Sequence, residues 1–208
     1  MTHRHAVLAL ILGLFLVTSR PAAAAKPLEV TPFLGSMIPA NSLFLASGGG
    51  TLIRFQTHTL YGLSVGCPME HKLGAELVLA TGTGKMELVG GTAIELASTV
   101  FIADLRARMR LMGGDHANLS GVLGVGYTDH NIGLFDIAHE TGQGTYIGRL
   151  TGSIGAQVHG ALGESVRLNV TMVDRIHKGG VGLNFGGLDG SFKTQNDLVT
   201  TAGIAFTL

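Results

Sequence analysis

The sequence predicts an all-β fold: an eight-stranded antiparallel up-and-down transmembrane β-barrel, preceded by a cleaved signal peptide. Three observations predict it. Along residues 99–111, Ile102, Asp104, Arg106, Arg108 and Arg110 fall on one parity, and Phe101, Ala103, Leu105, Ala107, Met109 and Leu111 on the other. Strand side chains alternate between faces, so this segment has one apolar and one charged surface. Seven further segments alternate in a similar way, and most reach the 9–11 residues that a tilted membrane strand needs. Short and long connections also alternate strictly, the asymmetry of barrels with short turns at one rim and long loops at the other.

The elements follow in order. Arg4 and two histidines precede the apolar run Ala6–Val17, and Pro21 is followed by four alanines. This is the pattern of a secretory signal peptide, placed at residues 1–25, with the barrel occupying 26–208. Leu28–Gly35 opens the barrel and Leu52–Gly66 continues it. Leu73–Thr83 sets Leu73, Ala75, Leu77 and Leu79 against Gly74, Glu76, Val78 and Ala80. Thr99–Leu111 and Asn118–Thr128 come next, the latter with Leu119, Leu123, Val125 and Tyr127 outward. In Thr145–Gly160, Leu150, Ile154, Ala156 and Val158 oppose Arg149, Thr151, Ser153, Gln157 and His159. Ser165–Ile176 sets Val166, Leu168, Val170 and Met172 against Arg167, Asn169, Thr171 and Val173, and Asp197–Leu208 closes the series. The short turns are Cys67–Lys72, Met112–Ala117 and Ala161–Glu164. The long loops are Ser36–Thr51, Gly84–Ser98, Asp129–Gly144 and His177–Asn196.

Composition bounds the reading. A hydrophobic share of 46% against 13% charged residues excludes disorder, and the 32 glycines without a Gly-X-Y period exclude collagen. A formal net charge of zero leaves no footprint for nucleic acid. Cys67 is the single cysteine, so no internal disulfide supports the fold. Gly121, Gly124, Gly126, Gly148, Gly152, Gly155 and Gly203 fall within strands, where glycine relieves crowding inside a narrow, tightly curved barrel.

Two hairpins, Tyr61–Gly66 with Lys72–Leu77 and Gly155–His159 with Val166–Val170, resemble the small outer-membrane β-barrel family related to the membrane domain of outer-membrane protein A. The C-terminus is similar to the family's insertion signal, with Thr201, Gly203, Phe206 and Leu208 at its positions and leucine where an aromatic residue is usual. The resemblance implies the outer membrane of a diderm bacterium, with outer-membrane lipid, lipopolysaccharide and the insertion machinery as partners. Phe101, Tyr61, Tyr127, Tyr146 and Phe206 are the candidates for thin aromatic girdles.

The expected site is a charged lumen. Arg54, Arg106, Arg108, Arg110, Arg149 and Arg167 are placed inward against Glu29, Glu76 and Asp104. Buried charges persist only when paired, so a salt-bridge network filling the interior is the expectation, and an eight-stranded barrel has room for little else. Excess arginine would favour anions at a vestibule, and a narrow channel for small hydrophobic or anionic solutes is the alternative. No cofactor or metal is expected. Asp129, His130, Asp136 and His139 read as a solvated extracellular loop, and His177 with Asp174 as a loop base. No nucleophile with a matched base has a defensible spacing, so the chain reads as non-catalytic; a lipid-modifying enzyme is the alternative from another class. Gly48–Gly50 and Gly82–Gly84 lack the lysine–hydroxyl pair of a phosphate loop.

Overall fold

The computed structural model describes residues 27–40, 44–45, 52–68, 72–90, 92–114, 116–132, 147–179 and 193–208. The proposed signal peptide, Tyr146, Asp136 and His139 lie outside these residues. Among the described residues ten strands form in chain order: β1 Glu29–Pro39, β2 Phe44–Leu45, β3 Leu52–Phe55, β4 His58–Pro68, β5 Leu73–Gly90, β6 Thr92–Gly113, β7 Ala117–Ile132, β8 Ile147–Ala161, β9 Val166–Gly179 and β10 Lys193–Thr207.

Eight of them close a ring. Each pairs antiparallel with its neighbour in the order β1, β4, β5, β6, β7, β8, β9, β10, and β10 returns to β1. The seam runs from Glu29 opposite Thr207 to Pro39 opposite Asp197. It is tied at the chain ends by Leu208 N donating to Leu28 O at 2.8 Å. Closure satisfies every ladder within the wall, which an apolar solvent demands because it offers no hydrogen bonds of its own. The three short turns, the start of β1 and the end of β10 share one rim, called here the short-turn rim. At that rim Lys72 has φ 72° and Gly113 has φ 94°. Gly113 holds the tight β6–β7 turn, where any Cβ would strike the Ala117 backbone.

Three sequence expectations are corrected. The long loop placed at Gly84–Ser98 is instead a continuation of the wall: β5 and β6 run on as a ladder to Gly90 opposite Thr92. Lys85 and Glu87 alternate with Met86 and Leu88 there, so the strand pattern persists. Gly82 and Gly84 look like breaks but lie on the inward face, where a Cβ at Gly84 would sit 2.7 Å from the His58 ring. The second strand is divided at Gln56–Thr57. Its first part, β3, pairs with the outer end of β5, with Arg54 opposite Glu87, and does not join the ring. Finally, the strand glycines are of two kinds. Gly124, Gly126, Gly155 and Gly203 are pressed against neighbouring strands or side chains, whereas a Cβ at Gly152 would meet nothing nearer than 3.9 Å.

The two faces of the wall separate cleanly. The exposed large hydrophobics within the ring strands include Leu34, Leu63, Leu105, Leu123, Val125, Leu150, Ile154, Met172 and Phe206, all on the outward parity. Leu150 is 84% exposed. Apart from Asp129, the inward parity carries the buried arginines, carboxylates, histidines and small hydroxyls. Tyr61, Thr81 and Phe101 are cross-strand neighbours on the outer face toward the loop rim, and Phe206 lies near the short-turn rim.

Candidate functional site

Alternation along eight antiparallel strands brings the charged residues into the lumen in tiers. At the short-turn rim, Arg108 of β6 spans the barrel to Glu29 of β1, donating from both Nη1 and Nη2 to Oε2 at 3.1 Å. The same Nη1 reaches Gln157 Oε1 at 3.4 Å and His159 Nε2 at 3.3 Å, both on β8. Since a guanidinium only donates, His159 Nε2 accepts, and in the neutral ring the proton resides on Nδ1. Arg167 stands 3.8 Å from the other oxygen of Glu29.

The middle tier centres on Asp104. Arg106 Nη2 donates to Oδ2 at 2.9 Å and Arg175 Nη2 to Oδ1 at 2.8 Å, with Arg175 also donating to Thr151 Oγ1 at 2.7 Å. Arg175 is 1% exposed, among the most deeply buried side chains. Gly126, opposite Asp104, makes room for it: a Cβ there would collide with the carboxylate. One carboxylate thus serves two guanidinium groups in the buried interior, where removing it would take from each its hydrogen-bonded counter-charge.

Toward the loop rim, His58, His130 and His177 point inward with Ser98, Arg149 and Asp197, all buried. His58 Nδ1 donates to Gln56 O at 2.9 Å, so the neutral ring presents Nε2 as acceptor to the Ser98 hydroxyl at 3.1 Å. The His130 ring meets Phe55 at 5.2 Å and His58 edge-on at 5.9 Å between centroids. His177 Nε2 lies 3.1 Å from Asp197 Oδ2. Beside these tiers an apolar cluster, Phe33, Met37, Leu60, Val78, Ala80, Val100, Ile102, Val122, Val173 and Val199, packs together in the interior.

The structure places the sequence-derived residues as follows. Glu76, Asp104, Arg106, Arg108 and Arg149 are buried in the lumen, with Glu76 opposite Arg106 on adjacent strands. Arg110 and Arg167 line the opening at the short-turn rim. Thr201 and Gly203 face inward on β10, where Gly203 lies against Thr31 and Phe33; Phe206 and Leu208 face outward. The loop reading of His130 is corrected, because it sits on β7 inside the barrel. Asp129 belongs to the same strand but to the outward parity, buried between Phe101 and Gly148. His177 partners Asp197, while Asp174, grouped with it at the loop base, accepts from Asn196. Sequence reasoning missed Arg175, Asp197 and the Ser98–His58 pair. Parity alone would have found the first two, whereas the pair joins residues 40 positions apart.

A cavity of about 310 Å³ opens at the short-turn rim. A second space, between Thr31, Glu76, Arg106 and Thr171, has room for about 10 Å³, enough for one water. Among the described residues no group of histidine, cysteine and carboxylate side chains is arranged to hold a metal. Cys67 is a free, half-buried thiol.

No family model matches the sequence, and no curated protein does. Solved structures do match the fold. The outer membrane protein OprG of Pseudomonas aeruginosa is 19% identical with a TM-score of 0.60, over 88% of this chain and 96% of that one. Neisserial surface protein A is 11% identical with a TM-score of 0.53, over 89% and 99%. Outer membrane protein W of Escherichia coli is 15% identical with a TM-score of 0.51, over 90% and 100%. The fold is that of the small outer-membrane β-barrels.

Proposed function

We propose that the chain is a non-catalytic barrel of a diderm outer membrane, closed along its axis, serving membrane integrity or surface interaction. The observation that carries this reading is the division of the wall. Its outward face is a continuous apolar surface, a liability in water and a requirement in lipid. Its inward face is filled by the Arg108–Glu29 and Asp104–Arg175 tiers and by the apolar cluster. Outer-membrane lipid, lipopolysaccharide and the insertion machinery are the partners this reading implies, and the loops at the far rim present the contact surface.

Fractionation tests it directly. The protein is expected in the sarkosyl-insoluble fraction, with heat-modifiable migration on a detergent gel. A protein fully soluble without detergent would sink the reading. Two alternatives keep a specific observation each. The open cavity at the short-turn rim favours a narrow channel, for which single-channel recording is decisive. The Ser98–His58 contact is the place to seek a lipid-modifying activity, read as a change in lipid A mass that Ser98→Ala abolishes.

A further inference from the structure

We propose that the cavity at the short-turn rim is a binding site for a small phosphate-bearing polyanion. The proposal goes beyond a closed barrel and does not require conduction. Four cationic side chains, Lys72, Arg108, Arg110 and Arg167, line this space, and among the described lining residues the only carboxylate is Glu29. One oxygen of that carboxylate is committed to Arg108. Oε2 takes both Arg108 bonds, and Oε1 lies 3.8 Å from Arg167, beyond hydrogen-bond reach. Even with Arg110 otherwise engaged, the described lining carries more cations than carboxylates inside a low-dielectric wall, where field lines concentrate.

A second observation points the same way. His159 lines the cavity and is 5% exposed; Arg108 occupies its Nε2 as an acceptor, which leaves the proton on Nδ1, and Nδ1 has no partner. A buried donor without an acceptor costs free energy that an incoming anion oxygen would recover through a small ring rotation. Several donors converging on one space with too few acceptors is the chemistry that recognises phosphate, whose oxygens accept from guanidinium and ammonium groups alike. The volume suits a small anion such as pyrophosphate and excludes anything polymeric from full entry.

The test uses the full barrel, refolded in nanodiscs of zwitterionic lipid and shown to be folded by heat-modifiable migration, so that failure to bind is distinct from failure of the barrel reading. Pyrophosphate is titrated at constant ionic strength while backbone and histidine nitrogen signals are followed. Saturable shifts are expected at Ser120, His159 and Arg108, with His159 Nδ1 protonated throughout. The double variant Lys72→Gln/Arg167→Gln, which spares the Arg108–Glu29 contact, should bind about tenfold more weakly, the scale of one charged hydrogen bond. Identical shifts from chloride, equal affinity in the double variant, or no saturation would overturn the proposal. Repeating the titration in phosphatidylglycerol nanodiscs separates two sources of phosphate. Competition would assign the site to a lipid headgroup, and its absence to a soluble anion.

Discussion

At the scale of single residues, the lumen rests on shared partners, and the outer face on none. Asp104→Asn removes the one negative charge that Arg106 and Arg175 share. Leaving buried charge uncompensated costs about 3–5 kcal/mol, so this substitution should lower the urea midpoint of the folded band in lipid vesicles, read by gel migration because the chain has no tryptophan. Gly126→Ala should act on the same network from across the ladder. Its Cβ displaces the Asp104 carboxylate, an overpacking cost of about 1–3 kcal/mol. On the other face, Leu105→Arg meets lipid instead of partners and should cost about 2–4 kcal/mol near mid-strand. Equal tolerance of Asp104→Asn and Leu105→Ala in that assay would contradict the assignment of faces. Arg106 and Arg108 were legible from parity. Arg175 has the same parity in β9, yet it lies one residue before the end of the segment read as a strand, where the neighbouring histidine and glycines suggested a loop.

At the scale of elements, what hid the true strand ends was the double meaning of glycine. A Gly-Thr-Gly run reads as a turn wherever strands have room on both faces. In this barrel Gly82 and Gly84 are strand residues whose missing side chains accommodate Leu60 and His58. The β5–β6 ladder therefore continues past the expected loop, and Lys85 Nζ donates to Glu95 Oε2 across its extension. That hydrogen bond, with the lysine charge, holds the Glu95 carboxyl below its ordinary range. The sign follows from the direction: a lowered folded pKa gives a contribution present above the unfolded value and lost as pH falls through the folded one. Both side chains are more than half exposed, so solvent screens the pair. A carbon-detected titration should find the Glu95 midpoint depressed and raised by Lys85→Gln, with the smaller contribution of Gln56 remaining, while the urea midpoint of the barrel stays unchanged. The eight-strand count, the facing of each strand and the short turns were readable because period-two alternation is imposed by lipid outside and charge inside. Cross-strand tiers such as His58–Ser98 were not, because register is set by the closed ring and leaves no local trace in sequence.

At the scale of the whole molecule, closure of the lumen combines charged tiers with an apolar cluster, and that difference in chemistry predicts how it could be opened. Near the short-turn rim the closure is electrostatic, Arg108 to Glu29, with Gln157 and His159 on the flank. Farther in it is apolar, with Met37, Leu60, Val100 and Ile102 each no more than 1% exposed. An apolar constriction excludes water and ions by dewetting, while a charged belt can rearrange around an ion without leaving a void. Reconstituted wild-type protein should therefore give a flat current trace at moderate voltage. Arg108→Ala should remain non-conducting despite the wider vestibule, because the apolar layer still stands behind it. Met37→Ala/Leu60→Ala should also remain closed, held by the belt. The triple combination still leaves the Asp104–Arg175 tier across the lumen, so discrete openings are expected only when Arg175→Ala is added to it. If Arg108→Ala alone conducts, the apolar layer is not a barrier, and the narrow-channel reading gains over the closed one.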